Sequence, residues 1–200
     1  SLASHKEELW YVQDEASQLV TQLLAPRHGE SVWDVCAAPG GKSLTILTMI
    51  GDDGTLLSTD LHGRKAKELG GRLRSYMNAI VCQHDAGNGA PKAHLQTFDK
   101  ILLDAPCSAL GVIRRHPEIR WRRSIRDVKR ASKKQRNLLE AVALHLKVGG
   151  ILVYSVCTDM QGETSEVIND FLQAFPDFSF CAPPPTDIWN ELYDESLSLN

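Results

Sequence analysis

The chain has 200 residues, is 42% hydrophobic and 24% charged, and carries a formal net charge of −3. One ordinary domain of this size buries roughly 70% of its unfolded surface, so its core needs neither a metal ion nor a disulfide. Its five cysteines are odd in number and include no C-x-x-C pair, which indicates reduced thiols in the cytosol and argues against structural zinc. No apolar run approaches the roughly 18 residues of a membrane span. We expect a cytoplasmic monomer with no metal and no membrane partner.

Positive charge is concentrated in one segment of the chain. Residues 114–136 contain eleven Lys or Arg residues against two acidic ones, whereas the rest of the chain contains eleven basic and twenty-three acidic residues. Such a block is usually a solvated helix face, but clustered Arg and Lys are also typical of surfaces that bind nucleic acid phosphates. We predict that the block binds nucleic acid through six arginines, Arg114, Arg115, Arg120, Arg122, Arg123 and Arg126.

The first predicted element is an amphipathic helix over residues 14–25, within a helical lead-in of residues 1–30. Short apolar runs then alternate with helical patterns. The runs predict strands over 31–36, 55–60, 79–84, 100–104 and 151–156, and the patterns predict helices over 43–50, 63–77, 125–146 and 163–175. Strands separated by helices favour parallel crossovers, so we expect an α/β fold with a doubly wound, mostly parallel sheet and helices on both faces.

Particular residues set the limits of the later elements. Ser124 is a typical N-cap for the helix over 125–146, and Gly149-Gly150 is a typical stop after it. The apolar run at 178–181 predicts an additional strand. Three consecutive prolines from Pro183 then end regular structure. We therefore assign residues 1–182 to one domain and residues 183–200 to a Pro-rich, acidic tail.

The turn after the first predicted strand is the most informative part of the sequence. From Asp34 to Lys42 the chain passes from an acidic strand end through a glycine-bearing turn into a helix, which is how open α/β sheets hold a cofactor. A phosphate-binding P-loop would need glycine where Cys36 stands, and the dinucleotide fingerprint G-x-G-x-x-G is absent. S-adenosylmethionine carries no phosphate, so it suits this turn better.

Polar residues also follow the other predicted strands. Asp60 lies 19 residues beyond Gly41, about the distance at which such folds place a carboxylate on ribose hydroxyls. Alternatively, Asp60 caps the helix that follows it. Asp85, the run 104–108 and Cys157 come after the next three strands. Ligands bind outside the carboxyl ends of parallel strands, so we expect these side chains to converge on one crevice.

Three motifs give the sequence a specific resemblance. Asp34-x-Cys-Ala-Ala-Pro-Gly-Gly-Lys42, Asp104-Ala-Pro-Cys-Ser108 and Tyr154-Ser-Val-Cys157 are similar to motifs of the RNA cytosine-5 methyltransferases. Residues 103–121 resemble in particular the bacterial small-subunit ribosomal RNA group of the Sun/Fmu (RsmB) type, and the resemblance spans about residues 12–180. It implies a Rossmann-like class I S-adenosylmethionine-dependent methyltransferase that forms 5-methylcytosine in RNA, in particular ribosomal RNA.

The resemblance also implies catalytic roles. Cys157 is the nucleophile that adds to carbon 6 of cytosine, Asp104 holds the ring at nitrogen 3, and Cys107 assists the later release of the enzyme. Lys42 reaches the target base. A free thiol has a pKa of about 8.5, so Cys157 needs help, for which Lys42 and the start of the helix near Glu163 are the candidates. The opposite assignment, with Cys107 as the attacking thiol, remains open because Pro-Cys nucleophiles serve DNA cytosine methylation.

The cofactor contacts follow from the same resemblance. Asp60 is implied on the ribose, Asp85 on the adenine amine, and Asp104 near the methionine part, with the turn against the rest of the molecule. The implied cofactor-binding residues are Cys36, Ala37, Ala38, Pro39, Gly40, Gly41, Lys42, Asp60, Asp85 and Asp104.

The sequence departs from the family pattern at two places. Val156 stands where the family usually has threonine, and nothing after Pro185 matches its Asp-Gly-Phe-Phe strand. These departures favour, as the alternative function, a non-catalytic RNA-binding or ribosome assembly factor that retains the methyltransferase fold. A methyltransferase that acts on amino groups is a weaker alternative, because it would not need two cysteines at strand ends.

Overall fold

The computed structural model describes residues 13, 15–92, 97–112, 121 and 124–182. The helices are α1 (Glu15–Leu24), α2 (Gly41–Ile50), α3 (Gly63–Leu73), α4 (Ile125–Ala143) and α5 (Ser165–Ala174). The strands are β1 (Ser31–Asp34), β2 (Thr55–Asp60), β3 (Ala79–Gln83), β4 (Phe98–Asp104) and β5 (Leu146–Ser155). The tail 183–200 and five of the predicted RNA-binding residues lie outside the described residues, namely Arg114, Arg115, Arg120, Arg122 and Arg123.

The five described strands form one parallel sheet in the order β3-β2-β1-β4-β5. β1 pairs with β2 on one side and with β4 on the other, while β3 and β5 complete the two edges. The chain adds β2 and β3 on one side of β1 and then crosses to add β4 and β5 on the other side. The carboxyl ends of β1 and β4 therefore form a switch point. This topology confirms the predicted doubly wound sheet.

Two apolar clusters cover the two faces of the sheet. Val32 and Trp33 of β1 are both fully buried, but they point to opposite faces because successive strand residues alternate. Val32 packs with Leu24, Ile46 and Leu69, so α1, α2 and α3 lie on its side. On the side of Trp33 the cluster includes residues of α4 and α5, namely Leu138, Leu139, Val142, Val167 and Phe171. Helices thus cover both faces, as the sequence predicts.

Helix α4 begins as predicted and ends earlier. Ser124 and Asp127 form a capping box at its start, but the helix ends at Ala143 and β5 begins at Leu146. The predicted stop at Gly149-Gly150 is wrong, because both glycines lie inside β5. A Cβ on Gly150 would lie 2.8 Å from a main-chain oxygen of β4. Glycine here allows close approach of two strands where their register shifts.

The predicted strand over 178–181 is also wrong. Residues 178–182 have no strand structure. The ring of Phe178 instead packs against Phe171 at a centroid distance of 5.1 Å and against Phe175 at 6.1 Å. The apolar pattern reflects an aromatic cluster on α5. Within the described residues we find no helical segment with both the length and the hydropathy of a membrane span.

Candidate active site

The carboxyl ends of the strands open into a crevice at the switch point between β1 and β4. Three adjoining cavities lie there, and Asp104, the last residue of β4, lines all of them. We call them the turn cavity, of about 160 Å³, the carboxylate cavity, of about 200 Å³, and the cysteine cavity, of about 660 Å³. The structure therefore brings the predicted strand-end residues together around one carboxylate.

The turn cavity is shaped by the backbone that follows β1. The amides of Val35 and Ala37 donate to main-chain carbonyls of β4 and β2, both at 2.9 Å, so the turn is fixed on either side. Gly40 has a φ of 103°, and a Cβ there would lie 2.6 Å from the Cδ1 atom of Leu69. Glycine alone suits that position. Because Gly41 starts α2 and also lines the cavity, the turn presents bare peptide groups and a helix N-terminus to a ligand.

Asp34 is a buried carboxyl group beneath this turn. The residue is 1% exposed, and its Oδ2 atom accepts a hydrogen bond of 2.6 Å from the hydroxyl of Ser43. Burial raises the pKa of Asp34 to about 7, although the Ser43 hydrogen bond acts in the opposite direction. Burial likewise raises the pKa of Cys36 to about 12. The Cys36 thiol therefore stays protonated and is a neutral lining group rather than a nucleophile.

The carboxylate cavity presents two acidic side chains at neighbouring strand ends. Asp60 accepts a hydrogen bond of 2.9 Å from the amide of His62, and Asp85 accepts one of 3.1 Å from the amide of Gly87. Within the described part of the chain, the second oxygen of each carboxylate accepts no hydrogen bond. These two oxygens, one on Asp60 and one on Asp85, are available to hydroxyl or amine groups of a ligand. His62 is the N-cap residue of α3, so Asp60 fixes the preceding turn and is not the helix cap.

The two predicted cysteines meet in the cysteine cavity. The Sγ atoms of Cys107 and Cys157, which lie 50 positions apart in the chain, are 2.8 Å from each other, and both are free thiols. Gly111 joins the segment that follows Cys107 to the backbone of Cys157, because the Gly111 amide donates to the Cys157 carbonyl at 3.2 Å. A Cβ on Gly111 would lie 2.9 Å from that oxygen. The close approach of the two segments therefore requires glycine.

These two thiols titrate as a pair. The hydrogen bond with Cys157 lowers the pKa of Cys107 to about 7, because the remaining S–H group stabilises the first thiolate. The same hydrogen bond, burial and the charge of Cys107 all raise the pKa of Cys157, because a second thiolate would lie against the first. The partner thiol, rather than Lys42 or a helix N-terminus, is thus the main influence on each sulfur. The first thiolate of the pair therefore forms on Cys107, while Cys157 keeps its proton.

Asp104 is held on both of its oxygens. Its Oδ2 atom lies 2.6 Å from the ammonium nitrogen of Lys42, and its Oδ1 atom accepts a hydrogen bond of 2.8 Å from the hydroxyl of Ser155. Lys42 also donates to the hydroxyl of Ser17 at 3.4 Å, and its side chain is only 17% exposed. Lys42 is therefore an ion-pair partner inside the crevice rather than a solvated residue at a helix start.

Four residues of the site were not predicted from the sequence. Ser17 and Ser155 hold the ion pair, as described above. Gln135 of α4 donates to the Pro106 carbonyl at 3.0 Å and to the carboxylate of Glu163 at 2.9 Å. Ser155 lies within the third motif and Glu163 six residues after it, so closeness to a motif could have found these two. Ser17 and Gln135 lie far along the chain from their partners, and no signal in the sequence connects them.

The described part of the basic block forms an exposed face on α4. Only Arg126 of the six predicted RNA-binding arginines lies in the described residues. The exposed cations of this face, which we call the α4 basic face, are Arg126, Lys129, Arg130, Lys133 and Lys134. Lys134 also lines the carboxylate cavity, so the face borders the crevice. Among the described side chains, no group of three or more His, Cys, Asp or Glu residues is arranged to hold a metal ion.

Comparison with known proteins gives one consistent family. A family model described as 16S rRNA methyltransferase RsmB/F matches residues 21–193. The protein named ribosomal RNA small subunit methyltransferase B from Citrobacter koseri is 44% identical over 173 residues, which is 86% of this chain and 40% of that protein. The protein of the same name from Escherichia coli is 42% identical over 88% of this chain. The chain thus spans about two fifths of the length of these curated relatives.

Solved structures agree with the sequence matches. The structure of NSun6 from Pyrococcus horikoshii with SFG has a TM-score of 0.77 and 27% identity, and the match covers 87% of this chain and 44% of that one. A methyltransferase homologue from the same organism has a TM-score of 0.74 and 32% identity, with coverage of 88% and 56%. The fold is the Rossmann-like class I fold of S-adenosylmethionine-dependent methyltransferases. The chain belongs to the RsmB/F family of 16S rRNA methyltransferases.

Proposed function

We propose that residues 1–182 form the catalytic domain of an S-adenosylmethionine-dependent methyltransferase that makes 5-methylcytosine in small-subunit ribosomal RNA. The names of the curated relatives support the class of RNA. The cytosine-5 chemistry rests on one observation, which is the pair of free thiols 2.8 Å apart beside Asp104. Methylation of an amino group requires no such pair, whereas covalent activation of a pyrimidine ring requires a thiolate.

The cofactor assignment follows from the groups that line the turn and carboxylate cavities. We assign Asp60 to the ribose hydroxyls and Asp85 to the adenine amine, because each has one carboxylate oxygen without a partner in the described residues. The turn from Cys36 to Gly41 offers peptide groups, and Asp104 borders the same space. When bound, S-adenosylmethionine supplies an electrophilic methyl group. The relative solved with SFG, an analogue of this cofactor, supports the choice of cofactor.

The reaction needs carbon 5 of cytosine to become a nucleophile. We assign Cys157 as the thiolate that adds to carbon 6, so that a sulfur–carbon bond forms and the π electrons of the 5,6 double bond move toward carbon 5. Asp104 accepts hydrogen bonds from the base at its exocyclic amine or protonated nitrogen 3, while Lys42 and Ser155 hold the carboxylate in place. Once the Cys157 sulfur is bonded to carbon 6, Cys107 gives up its own proton to solvent. After carbon 5 has gained its methyl group, the proton of carbon 5 passes to the Cys107 thiolate, the double bond re-forms and the Cys157 sulfur leaves.

The paired titration of the two thiols supplies a thiolate but favours it on Cys107 rather than on Cys157, so the assignment of Cys157 as the nucleophile rests on the family resemblance. The first proton leaves the pair with a pKa lowered to about 7, so a thiolate is present near neutral pH without a histidine base. Because the sulfurs share one hydrogen bond, the charge is able to move between Cys107 and Cys157 as the base approaches. The α4 basic face borders the crevice, and we assign it to the RNA backbone, which would offset the cost of unstacking the target base.

The test is methyl transfer from labelled S-adenosylmethionine to unmodified small-subunit ribosomal RNA, followed by digestion and detection of 5-methylcytidine. We expect Cys157→Ala to abolish the product and Cys107→Ala to accumulate a covalent RNA–protein adduct that survives denaturing electrophoresis. Cys181→Ala, which removes an exposed thiol that does not line the cysteine cavity, serves as the matched control and keeps activity.

Two outcomes would change the proposal. A product from Cys157→Ala together with an inactive Cys107→Ala would reverse the roles of the two cysteines. Cofactor binding with no methyl transfer to any RNA would favour the non-catalytic assembly factor.

A further inference from the structure

Glu163 is a buried acid that the reaction scheme does not use. It lies in the short 3₁₀ turn Gln161–Glu163 between β5 and α5, and it is 0% exposed. A carboxylate buried to this degree is costly unless hydrogen bonds compensate it. Its Oε2 atom accepts two, from the Ser108 amide at 2.8 Å and from the Gln135 side chain at 2.9 Å. Its Oε1 atom has no partner among the described residues.

The bonds of Glu163 reach the loop that carries Cys107. Ser108, whose amide binds the carboxylate, is the next residue after Cys107. Gln135, the second donor, also binds the carbonyl of Pro106, the residue before Cys107. One carboxylate therefore fixes the backbone on both sides of this cysteine, partly through Gln135.

The backbone of Glu163 reaches the other cysteine. Its main-chain carbonyl accepts a hydrogen bond of 2.7 Å from the hydroxyl of Tyr154, three residues before Cys157. Glu163 therefore binds both the loop that carries Cys107 and the end of β5, which leads to Cys157. If the Glu163 side chain were removed, the buried Ser108 amide would lose its hydrogen-bond acceptor. The loop would then no longer be held in one position.

We propose that Glu163 is a positioning residue that sets the separation of the Cys107 and Cys157 sulfurs, and with it the rate of the methyl-transfer reaction. The part that concerns rate rests on the function proposed above, whereas the separation of the sulfurs does not. Both thiols must reach the same pyrimidine ring, one at carbon 6 and the other near carbon 5. A displacement of about 1 Å in such a geometry costs roughly 100-fold in rate, so a residue that does not contact the base is able to control the reaction.

The first experiment measures sulfur separation without RNA or cofactor. Phenylarsine oxide binds two thiols at once and therefore requires them to be close together. We expect the wild-type protein to bind one equivalent and Cys157→Ala to lose this binding, which would assign it to the pair. We expect Glu163→Ala to bind the arsenical at least roughly tenfold more weakly, since the loop is no longer held at the distance that chelation needs. Glu163→Gln, which keeps an oxygen acceptor for the Ser108 amide, stays within about threefold of wild type.

The second experiment uses methylation kinetics. We expect Glu163→Ala to lower kcat by roughly 100-fold while the KM for RNA changes by less than about threefold. Glu163→Gln restores most of kcat. Glu166→Ala, which removes an exposed acid three residues further on, is the matched control and leaves both measurements unchanged. Circular dichroism melting establishes that each variant is folded.

Two results would overturn the proposal. One is a folded Glu163→Ala protein with wild-type arsenical binding, and the other is equal loss in the Gln and Ala variants. If Glu163→Ala does not fold, Gln135→Ala replaces it, because that variant removes the Gln135 bonds to Pro106 and to Glu163 and leaves the acid in place. Wild-type arsenical binding by Gln135→Ala would then reject the idea. Absence of methylation in wild-type protein would reject the proposed function and leave the arsenical comparison valid.

Discussion

The two sides of the crevice are held in different ways. On the carboxylate side, Asp60 and Asp85 are each fixed by an amide two residues further along the chain. On the cysteine side the contacts join distant positions, with separations of 50 residues for the two sulfurs, 51 for Ser155 and Asp104, and 62 for Lys42 and Asp104. The positions of the carboxylates therefore depend on local turns, whereas those of the cysteines depend on the mutual placement of α2, β4 and β5.

Among the changes that separate the two sides, the largest expected effect comes from Asp104, where the two sides meet. We expect Asp104→Asn to lower kcat by roughly 100- to 1,000-fold, because an amide does not stabilise a protonated base or bind Lys42 as a carboxylate does. Steady-state kinetics on RNA measures the effect. Asp99→Asn removes a carboxylate that pairs with Lys147 at 2.9 Å and lines none of the three cavities, so it is the control. A loss of less than tenfold in Asp104→Asn would contradict a direct role.

A smaller effect is expected when the carboxylate side alone is changed. Asp60→Ala should weaken S-adenosylmethionine binding by about 10- to 100-fold, the range for a lost hydrogen bond to a charged group. Isothermal titration calorimetry measures it, with the exposed Asp53→Ala as control. Arsenical binding by the cysteines should not change, because the two sides are held separately. If Asp60→Ala weakened cofactor binding and arsenical binding together, the two sides of the crevice would not be held separately.

The α4 basic face should affect RNA binding and neither side of the crevice. Reversal of Arg126, Lys129 and Arg130 to Glu should weaken RNA binding by at least about tenfold at low salt and reduce the slope of log affinity against log salt by about 2, since each lost phosphate contact to a single strand contributes about 0.7. Filter binding across a salt series measures both quantities. Reversal of the exposed Arg64, Lys67 and Arg74 on the other face of the sheet is the charge-matched control. Equal losses of RNA affinity in the two triple variants would show that the α4 basic face is not the RNA-binding surface.

A separate prediction concerns the stability of the turn rather than the reaction. The pKa of Asp34 is raised to about 7 in the folded protein from 3.8, so between these values the folded state binds more protons than the unfolded state. Its contribution is therefore fully present below about pH 4 and is lost as pH rises to about 7, by up to about 4 kcal/mol. Asp34→Asn keeps an acceptor for Ser43 and should remove this pH dependence.

Urea unfolding at pH 5 and pH 8 measures that difference. The variant should gain stability relative to wild type on going from pH 5 to pH 8, whereas the exposed Asp53→Asn should show no such change. The same pH dependence in wild type and Asp34→Asn would show that another group is responsible.

The sequence predicts the parts of the fold that depend on local pattern. Five apolar runs gave five strands, and Ser124 gave the start of α4 together with Asp127. The errors arise where one residue type serves two purposes. Gly149 and Gly150 resemble a helix stop, but they allow β5 to lie against β4. The run at 178–181 resembles a strand, but Phe178 packs with the rings of α5.

In the candidate site too, residues that depend on local pattern are predictable and those that depend on distant contacts are not. The rule that ligands lie at strand ends is enough to place Asp60, Asp85 and Asp104 in one crevice. It does not show which neighbour influences a thiol, because the contact between Cys107 and Cys157 depends on how two loops approach through Gly111. Nor does it reveal Gln135, whose helix position has no chemical signature until its side chain is seen between Pro106 and Glu163.

The closeness of the two sulfurs has a practical consequence. Two thiols at 2.8 Å need only a mild two-electron oxidant to become a cystine, and that bond would withdraw both from the pyrimidine at once. The geometry that suits the proposed reaction therefore also favours oxidation of the pair in air. Preparations should be kept with a reductant, and a sample that is silent in a methylation assay should be treated with dithiothreitol before it is judged inactive.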